Sequence, residues 1–523
     1  MKNLFGSYHF LIFLLSIYFV IFYHQSFWSA LFSHTKSFPH QNLLLLSIGI
    51  LLCSTLCFCL ELLCTKRSAI YVLGVLCALS AVSAYAMDTY HISISPLIID
   101  SILHTNLKEA RGVFDLKAML KILALLAVPF LALFLMRSKK MQNPRLKDKF
   151  LLLGFYLLVI LGISLLQGRD IIFAFKAYKP MIDMLNPIAP IRSTIRYVSA
   201  QARTPKTYAQ IGVDATLSPG DAPKIIVLVI GESSRAQNFA YNGYLRPTNP
   251  YTKDFASHLI NFPHFFSCGV ITAISIPCML TDLTHNSYTT RNLSYYRDNI
   301  LDIAKRAGYE VWWISNNGGE CMGKVCQRLR HIRYFDEGGA RNTFDGAMLG
   351  EISSIIQNAR HNTFLVINLY GSHGPKYFER YPKEFEHFTP VCKSPNLQTC
   401  SKEEIENAYD NSLRYSDFFL ASVMKSLAAS PLHQALWYVS DHGESLGEYG
   451  QYMHGGLPYS LSPEEQKHIP SLLYLGKGYE ALIPTLKEHA NKIYNQDYVF
   501  HSLLHLLDIK THIYNKKLDI FAQ

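Results

Sequence analysis

The sequence predicts a multi-span α-helical membrane domain followed by an exported α/β domain, in which helices cover both faces of a mostly parallel sheet. Three features of the 523-residue chain support this division. Five long apolar stretches lie before residue 168, and four shorter apolar runs after residue 223 each end abruptly in polar residues. Charge divides at a similar place. Residues 1–200 hold 19 of the 49 Lys+Arg and 8 of the 39 Asp+Glu. Residues 201–523 therefore hold 30 Lys+Arg and 31 Asp+Glu, which nearly balance.

The long apolar stretches are predicted to be membrane spans, because each can cross about 30 Å of hydrocarbon. A cleaved signal peptide would explain only the first, and no A-x-A-like site follows it. Buried core helices are the alternative, which the length of the segments disfavours. The predicted spans lie near 8–33, 42–64, 69–88, 118–136 and 150–167.

The short loops predict the orientation of these spans. Lys66 and Arg67 separate the second and third spans, the basic segment 137–149 separates the fourth and fifth, and the first loop holds only Lys36. Because basic loops stay in the cytoplasm, the N-terminus is predicted inside and the chain after residue 167 outside. The excess charge in this part suits loops that face anionic lipid, and it gives no support to nucleic-acid binding.

Composition predicts three regions along the chain. Residues 1–167 are predicted to form a five-helix transmembrane domain, residues 168–223 interfacial helices and a linker, and residues 224–523 an exported globular domain. Between them, the aromatic and basic residues of 169–203 indicate interfacial helices on the bilayer, and the turn-rich segment 204–223 indicates a linker.

Four apolar runs are typical of strands buried on both faces of a parallel sheet. Helix-like segments at 296–307, 345–360, 403–429 and 497–507 separate or follow them, as in βαβ units. Ligands in such sheets collect beyond the carboxyl ends of the strands. The four runs are KIIVLVI (224–230), YEVWWIS (309–315), TFLVINLY (363–370) and ALWYVS (435–440), and polar residues including Glu232, Asn317, His373, Asp441 and His442 follow them.

Asp441 and His442 directly follow the last of these runs, and a carboxylate and an imidazole are common zinc ligands. The alternative is a solvated turn with an ion pair. Glu232 holds the same position after another run and is a candidate third ligand. Its alternative role is to cap a helix that residues 233–244 are predicted to begin.

Thr272 is the candidate nucleophile. It lies between Cys268 and Cys278 and is predicted near a helix N-terminus, where free amides attract phosphate. A bound zinc ion can favour the alkoxide of a weakly nucleophilic alcohol. Capping or packing is the alternative for any single threonine. The side chains that could offer charge or hydrogen bonds to a phosphoryl group are Lys324, His373 and His454, and glycines flank both histidines.

The eleven cysteines divide into two groups. Five lie in or beside the spans, where cysteine acts as a small apolar residue. Six lie in the exported part, where an oxidising periplasm favours disulfides. Zinc binding by these thiols is the alternative, but no C-x-x-C pair occurs. The predicted pairs are Cys268–Cys278, Cys321–Cys326 and Cys392–Cys400.

Four segments together resemble the lipid phosphoethanolamine transferases of Gram-negative bacteria: GESSRAQNFAYNGYLRPTNP (231–250), TAISIPCM (272–279), GSHGPKYFERYP (371–382) and DHGESLGE (441–448). The resemblance covers nearly the whole chain and implies an exported domain of the alkaline-phosphatase/sulfatase type. It implies that Glu232, Thr272, Asp441 and His442 bind zinc, that Thr272 is the nucleophile, and that His373 and His454 handle the phosphoryl group.

Two further features bear on the resemblance. The loop from Cys321 to Cys326 is one residue longer than the family's C-K-G-V-C pattern and displaces Lys324, which, with Asn317, is predicted to bind substrate. Segment 95–110 is similar to a family loop near the lipid substrate, where Asn106 and Glu109 are candidates.

The resemblance implies that the chain transfers phosphoethanolamine from phosphatidylethanolamine to lipid A or another envelope acceptor, through a zinc-activated threonine and a covalent intermediate. It places the protein in the bacterial inner membrane with its catalytic domain in the periplasm. A glycerophosphate transferase or lipoteichoic acid synthase of the same fold is the nearest alternative. A lipid receptor would be expected to lose Thr272 or a metal ligand, and a soluble sulfatase or phosphatase is disfavoured by the spans.

Overall fold

A computed structural model describes residues 7–36, 40–90, 92–104, 116–138, 146–177, 179–203, 207–218, 222–288, 290–317, 321–335 and 344–523. The chain divides into two compact units. The first comprises Met1–Asp100 and Phe114–Tyr197, and the second comprises Ser101–Val113 and Val198–Gln523.

Long apolar helices dominate the N-terminal part. Among the described residues, four helices are long and apolar enough to cross a membrane, and a bent pair forms a fifth span if it is counted as one. The helices are α1 (Tyr8–Phe22), α2 (Gln25–His34), α3 (Gln41–Leu63), α4 (Ala69–Tyr90), α5 (Pro96–His104), α6 (Leu116–Ser138), α7 (Leu146–Ala177) and α8 (Ile188–Arg203). The four single spans are α3, α4, α6 and α7.

The first predicted span, 8–33, is not one continuous helix. Helices α1 and α2 meet at a bend of 56°. Side chains bind carbonyl groups at the bend: Trp28 Nε1 donates to Val20 O at 2.7 Å, and His24 Nδ1 donates at 2.7 Å to Phe19 O, which also accepts from the Tyr23 N–H at 3.1 Å. These side-chain bonds supplement the backbone hydrogen bonds at the bend, which makes a broken helix tolerable at membrane depth.

The fifth predicted span ends later than expected. Residues 168–177 continue α7 to Ala177 and do not form a separate interfacial helix. The prediction ended the span at 167 because hydropathy falls at Arg169 and Asp170. Both side chains are exposed, and the helix continues through them. A short 3₁₀ helix at Lys179–Met184 and the strongly amphipathic α8 follow, and their position at the bilayer interface stays a prediction.

A seven-stranded sheet forms the centre of the second unit. Its strands are β1 (Lys224–Gly231), β2 (Leu259–Asn261), β3 (Glu310–Ser315), β4 (His331–Tyr334), β5 (Thr363–Asn368), β6 (His433–Ser440) and β7 (Ser471–Leu475). The order is β2-β7-β6-β1-β5-β3-β4. All neighbours pair in parallel except β7, which is antiparallel to β6 and to β2. The four runs predicted as strands are therefore the four adjacent strands β6, β1, β5 and β3.

Helices cover both faces of this sheet, which confirms the predicted fold class. Alternate residues of β1 point to opposite faces. Ile226 packs in a core with Leu301 and Leu503, whereas its neighbour Val227 packs in a second core with Phe419. The helices are α9 (Thr272–Leu280), α10 (Ile300–Ala307), α11 (Leu349–Asn358), α12 (Lys402–Ala428), α13 (Ile483–His489) and α14 (Asp497–Leu506). Two-residue strands occur at Thr216–Leu217, Phe265–Phe266, Ser445–Leu446, Tyr452–Met453, His468–Ile469, Tyr494–Asn495 and Ile509–Lys510.

The α-helix predicted from residue 233 is wrong. Only two three-residue 3₁₀ turns form, at Ala236–Asn238 and Ala240–Asn242. The Ala240 N–H donates to Thr248 Oγ1 at 3.1 Å and to Asn249 Oδ1 at 2.8 Å. Such side-chain bonds to the backbone compete with helical hydrogen bonds and favour turns.

The structure pairs the six cysteines of the second unit as three disulfides. Their Cα–Cα distances are 6.3 Å for Cys268–Cys278, 5.6 Å for Cys321–Cys326 and 5.7 Å for Cys392–Cys400. The five cysteines of the membrane part are free thiols. Each disulfide closes a short loop, and the first encloses the start of α9.

Candidate active site

The sheet brings the predicted acidic and imidazole side chains to one edge. Strands β1 and β6 are parallel neighbours with Gly231 opposite Ser440. The residues that follow them, Glu232 and Asp441, therefore leave the sheet side by side, and the Asp441 N–H donates to Gly231 O at 2.9 Å. This is the carboxyl edge at which ligands collect in parallel sheets.

Glu232, Asp441 and His442 converge with Thr272. Thr272 Oγ1 lies 3.2 Å from both Glu232 Oε2 and His442 Nε2, and His442 Nε2 lies 3.2 Å from Asp441 Oδ2. One ligand atom from each of the two acids and the histidine falls within 4.8 Å of the others. Asp441 Oδ2 is buried without a hydrogen-bond partner among the described residues. A buried carboxylate oxygen in that state fits a site for a cation.

Neighbouring groups hold each of these side chains in position. The Ser233 hydroxyl donates to Glu232 Oε1 at 2.8 Å, and Asn317 Nδ2 donates to Glu232 Oε2 at 2.7 Å. Backbone N–H groups of Ser233 and His442 donate to Asp441 Oδ1. His442 Nδ1 lies 2.9 Å from Gly443 O, so a proton on Nδ1 leaves Nε2 free to face Thr272. Hydrogen bonds of this kind, from neighbouring groups to the ligand side chains, orient the ligands of metal sites.

The electrostatics of this group also favour a cation. Burial and the nearby charge of Asp441 raise the pKa of Glu232 well above its ordinary value. Burial raises the pKa of Asp441 to about 7 and lowers the pKa of His442 to about 4. Two buried carboxylates beside a neutral imidazole are stabilised by a divalent cation, which favours the ionised acids.

Thr272 is the first residue of α9, so its hydroxyl lies at a helix N-terminus. The loop before it is closed locally: Gly269 N–H donates to Ser275 Oγ at 3.1 Å, and Ser275 Oγ donates to Gly269 O at 2.9 Å. The Cys268–Cys278 disulfide joins the two ends of this segment. Free amides at a helix N-terminus attract phosphate, so the placement suits a group that attacks a phosphate ester.

A second cluster lies beside the first. His454 Nδ1 is 2.7 Å from Glu444 Oε2, and the Tyr377 hydroxyl donates to Glu444 Oε1 at 2.8 Å. The His454 ring centroid lies 3.9 Å from that of His442 and 5.8 Å from that of His373. His373 and His454 are half-buried. Burial lowers the pKa of His454 to about 4 and raises that of Glu444 to about 7.

The two other predicted substrate-binding residues, Asn317 and Lys324, lie in different surroundings. Asn317 is buried and its amide faces the Glu232 carboxylate, so it supports a candidate ligand. Lys324 is exposed, and its Nζ lies 4.7 Å from the ring centroid of Tyr295. No hydrogen bond or ion pair joins Lys324 Nζ to another described residue. Asn106 and Glu109 lie outside the described residues.

Sequence reasoning missed Gln496, which joins two parts of the site. It is fully buried, and its Nε2 donates to Ser440 O at 2.8 Å and to Asp441 O at 2.7 Å. Its Oε1 accepts from the Cys268 N–H at 2.7 Å. One amide therefore ties the Asp441 turn to the loop that leads to Thr272. No local pattern marks a glutamine just before a helix for this role.

Asp345 was also missed. Its carboxylate accepts from Asn316 Nδ2 at 2.9 Å and from the N–H groups of Tyr370 and Gly371 at 3.0 Å each. It joins the ends of β3 and β5, which carry Asn317 and His373. Nothing near Asp345 in the sequence distinguishes it from a surface aspartate.

The fold and the clustered side chains define a class: membrane-anchored enzymes whose globular domain has the alkaline-phosphatase/sulfatase fold. The sulfatase family model matches residues 224–509, and the model of phosphoethanolamine transferase EptA/EptB matches residues 52–202. Phosphoethanolamine transferase EptA of Salmonella typhimurium is 36% identical over 401 residues, 72% of each chain. Phosphatidylethanolamine transferase Mcr-2 of Escherichia coli is 32% identical over 467 residues, 84% of each chain.

The solved structure of integral membrane lipooligosaccharide phosphoethanolamine transferase A from Neisseria meningitidis has a TM-score of 0.90 and 28% identity, and the match covers 98% of each chain. The chain therefore belongs to the EptA family of phosphoethanolamine transferases. The resemblance inferred from its motifs is confirmed, and so is a multi-span membrane part joined to a sulfatase-like domain.

Proposed function

We propose that this enzyme transfers phosphoethanolamine from phosphatidylethanolamine to lipid A, with Thr272 as the nucleophile and zinc as the cofactor. The observation that carries the proposal is the position of Thr272 Oγ1, 3.2 Å from both Glu232 and His442 at the start of α9. The relatives named as phosphoethanolamine and phosphatidylethanolamine transferases support the group transferred and its donor.

Glu232, Thr272, Asp441 and His442 would hold the zinc ion. Two carboxylates, a hydroxyl and an imidazole are a suitable oxygen and nitrogen donor set, and Asp441 Oδ2 is buried without a hydrogen-bond partner among the described residues. When bound, zinc would act as a Lewis acid that favours the Thr272 alkoxide and polarises the phosphate.

In the first half-reaction, Thr272 Oγ1 forms a bond to phosphorus while the bond from phosphorus to the diacylglycerol oxygen breaks. The hydroxyl proton passes to the Glu232 carboxylate, and the leaving glycerol oxygen takes a proton from His454. Burial keeps His454 neutral in the free enzyme. The negative charge of a bound phosphate would raise its pKa, so that His454 can carry this proton.

In the second half-reaction, an oxygen of the acceptor attacks the phosphorus held by Thr272. The bond from phosphorus to Oγ1 breaks, and the proton on Glu232 returns to Thr272. If the attacking oxygen is protonated, its proton passes to His454. Glu444 fixes the ring through Nδ1 and leaves Nε2 for this exchange. His373, close to His454, would contact the phosphoryl group.

The donor is tested with the full-length protein in vesicles that contain lipid A and either phosphatidylethanolamine or phosphatidylglycerol. We expect lipid A to gain about 123 Da per transferred group, which is the mass added when phosphoethanolamine replaces a hydrogen. This gain should occur in the vesicles with phosphatidylethanolamine and not in those with phosphatidylglycerol. Mass spectrometry of the extracted lipid A gives the result. A gain of about 154 Da with phosphatidylglycerol would identify a glycerophosphate transferase and contradict the proposal.

The bridge formed by Gln496 gives a separate prediction. Gln496→Met keeps the side-chain length but removes all three hydrogen bonds that join the Asp441 turn to the Thr272 loop. We expect the transfer rate to fall about tenfold or more, because small misplacements of reacting groups are costly, while zinc content stays near one per chain. The matched control is Gln357→Met, an exposed glutamine on α11, which should keep the wild-type rate. A wild-type rate for Gln496→Met would show that the bridge does not position Thr272.

A further inference from the structure

Arg291 is a buried cation without an acidic partner in the described part of the chain. The residue is 5% exposed, and neither its Nε nor its Nη1 has a hydrogen-bond partner there. Its Nη2 donates to Met322 Sδ at 3.3 Å. A thioether sulfur is a weak acceptor, and a buried charge without a counter-ion is costly. The guanidinium is therefore a candidate site for an anion.

The acids nearest to Arg291 in the sequence already bind other arginines. Segment 281–302 contains three acidic residues, and each forms an ion pair with a different arginine. The pairs are Asp282–Arg297 at 2.5 Å, Asp298–Arg306 at 2.7 Å and Asp302–Arg328 at 2.6 Å. No ion pair of Arg291 occurs among the residues that the structure describes. The local acids are thus neutralised without it.

Two short 3₁₀ helices surround the guanidinium, Arg291–Tyr296 and Met322–Lys324. Ser294 Oγ donates to Gly323 O at 2.7 Å and joins the two helices. Gly323 stands between Met322, which contacts the guanidinium, and Lys324, which is exposed. Lys324 also lacks an ion pair within the described ranges. Two positive charges without counter-ions therefore belong to one pair of 3₁₀ helices.

Met322 covers the guanidinium with a side chain that can move. Methionine is unbranched and has three rotatable bonds, and this one is half-buried, so part of it reaches the surface. The backbone around it is held more firmly. The Cys321–Cys326 disulfide closes the loop, and a Cβ at Gly323 would clash with Pro277 of α9. The thioether can therefore turn away while the loop stays in place.

The geometry of the guanidinium selects the class of anion. Once the thioether has turned away, Nε and Nη2 present two parallel N–H groups, the fork that binds carboxylate or phosphate through two oxygens. A carboxylate carries one negative charge. A phosphate monoester carries up to two, which matches the charges of Arg291 and Lys324.

We propose that Arg291 and Lys324 form a binding site for a phosphate group, which enters as the Met322 side chain moves aside. Two phosphate oxygens accept from Nε and Nη2 of Arg291, and Lys324 balances the second negative charge. The phosphate is either inorganic phosphate or a phosphate group of lipid A. Only the second source rests on the proposed function. None of the three side chains has a role in the proposed reaction.

The test follows the Met322 methyl group by NMR in full-length protein in maltoside detergent, labelled with methyl-¹³C methionine. Met322→Leu assigns the signal. All proteins carry His442→Ala, which removes a proposed zinc ligand, so that phosphate bound at the proposed catalytic site does not contribute. Inorganic phosphate and lipid A are titrated separately at constant ionic strength. We expect a saturable shift of the Met322 signal with at least one of them.

Arg291→Leu should lower the affinity for that ligand about tenfold or more, because hydrogen bonds to a charged group are lost. It should also raise the melting temperature of the ligand-free protein, since an apolar side chain replaces an unpaired buried charge. An arginine that serves the fold alone would give a lower melting temperature. The matched control is Arg360→Leu, an exposed arginine just after α11, which should bind the ligand as the parent protein does.

Met322→Ala tests the cover. It should tighten binding about threefold or more, because the site no longer has to open before the ligand enters. The ligand-dependent rise in melting temperature measures this affinity, since the methyl probe is absent. Lys324→Gln should weaken binding about threefold, because one exposed charge is lost.

The two ligands distinguish the source of the phosphate. A shift with lipid A and not with inorganic phosphate assigns a lipid phosphate, and the reverse assigns free phosphate; either supports the site. No saturable shift with either ligand, or unchanged affinity in Arg291→Leu, would overturn the proposal. If Arg291→Leu does not fold, Met322→Ala decides, and binding no tighter than in the parent protein would contradict the proposal. Because no turnover is measured, this outcome is independent of the proposed reaction.

Discussion

Thr272→Ala is expected to abolish transfer, with a loss of at least about 10³-fold, since removing a covalent nucleophile eliminates the intermediate. Wild-type protein incubated with phosphatidylethanolamine in the absence of acceptor should gain about 123 Da on the peptide that contains Thr272. The alanine variant should show no such gain. Intact-protein and peptide mass spectrometry together measure both results.

Two variants make this test specific. Thr272→Ser keeps the hydroxyl and loses the methyl that restricts its rotamer, so it should keep part of the activity. Thr284→Ala removes a hydroxyl outside the cluster, one bonded to Ser287, and should transfer at the wild-type rate. A Thr272→Ala protein that still transfers at the wild-type rate would mean direct transfer from donor to acceptor.

Removing a proposed metal ligand should have an effect of similar size. Asp441→Asn and His442→Ala should each lower zinc content well below one per chain and lower transfer by about 10³-fold, because the cation and its chemistry are lost together. Elemental analysis and the lipid A assay measure the two quantities. Asp254→Asn, on an exposed 3₁₀ helix, is the matched control.

Chelation should reproduce this loss in the wild-type enzyme, and added zinc should restore activity to the wild type but not to the two variants. Full transfer by exhaustively chelated enzyme would contradict the zinc proposal. The experiment leaves the protein otherwise intact, so it separates the role of the metal from that of the side chains.

The pKa shifts give the sign of a related stability effect in the chelated protein. The folded-state pKa of Asp441 is raised to about 7 by burial, above its ordinary value of 3.8. The folded state therefore binds a proton more tightly than the unfolded state, and stability falls as pH rises from about 4 to 7. Asp441→Asn should remove part of this fall. Thermal unfolding of the chelated proteins across that range measures it.

Much of the architecture could be predicted because its signals are local. A run of apolar residues such as Lys224–Gly231 indicates a strand buried on both faces, and a polar residue directly after it must lie at the strand's end. For this reason Glu232, Asp441 and His442 could be selected before their contacts were known. The membrane spans could be predicted for the same reason, because each is a continuous apolar stretch of the sequence.

The errors arose where local pattern and tertiary contacts disagree. Residues 233–244 look helical, but side chains of Thr248 and Asn249 bind their backbone and impose turns. Hydropathy marked the end of an apolar stretch at 167, whereas the hydrogen bonds of α7 continue to Ala177. Periodicity did not reveal the bend between α1 and α2, because the side-chain hydrogen bonds that His24 and Trp28 make to carbonyl groups there leave no periodic signal in the sequence.

The sequence by itself determined which chemical groups stand at the ends of the strands, which stretches can cross a bilayer, and which family the chain resembles. Only the tertiary structure decided which atoms meet. Thr272 is 40 residues from Glu232 and 170 from His442, yet its hydroxyl contacts both. Strand β6 begins more than 200 residues after β1 and still pairs with it, and Gln496 reaches Cys268 across 228 positions. These contacts result from the strand order and from loop closure, and both depend on the packing of the whole domain. Local residue preferences therefore do not predict them.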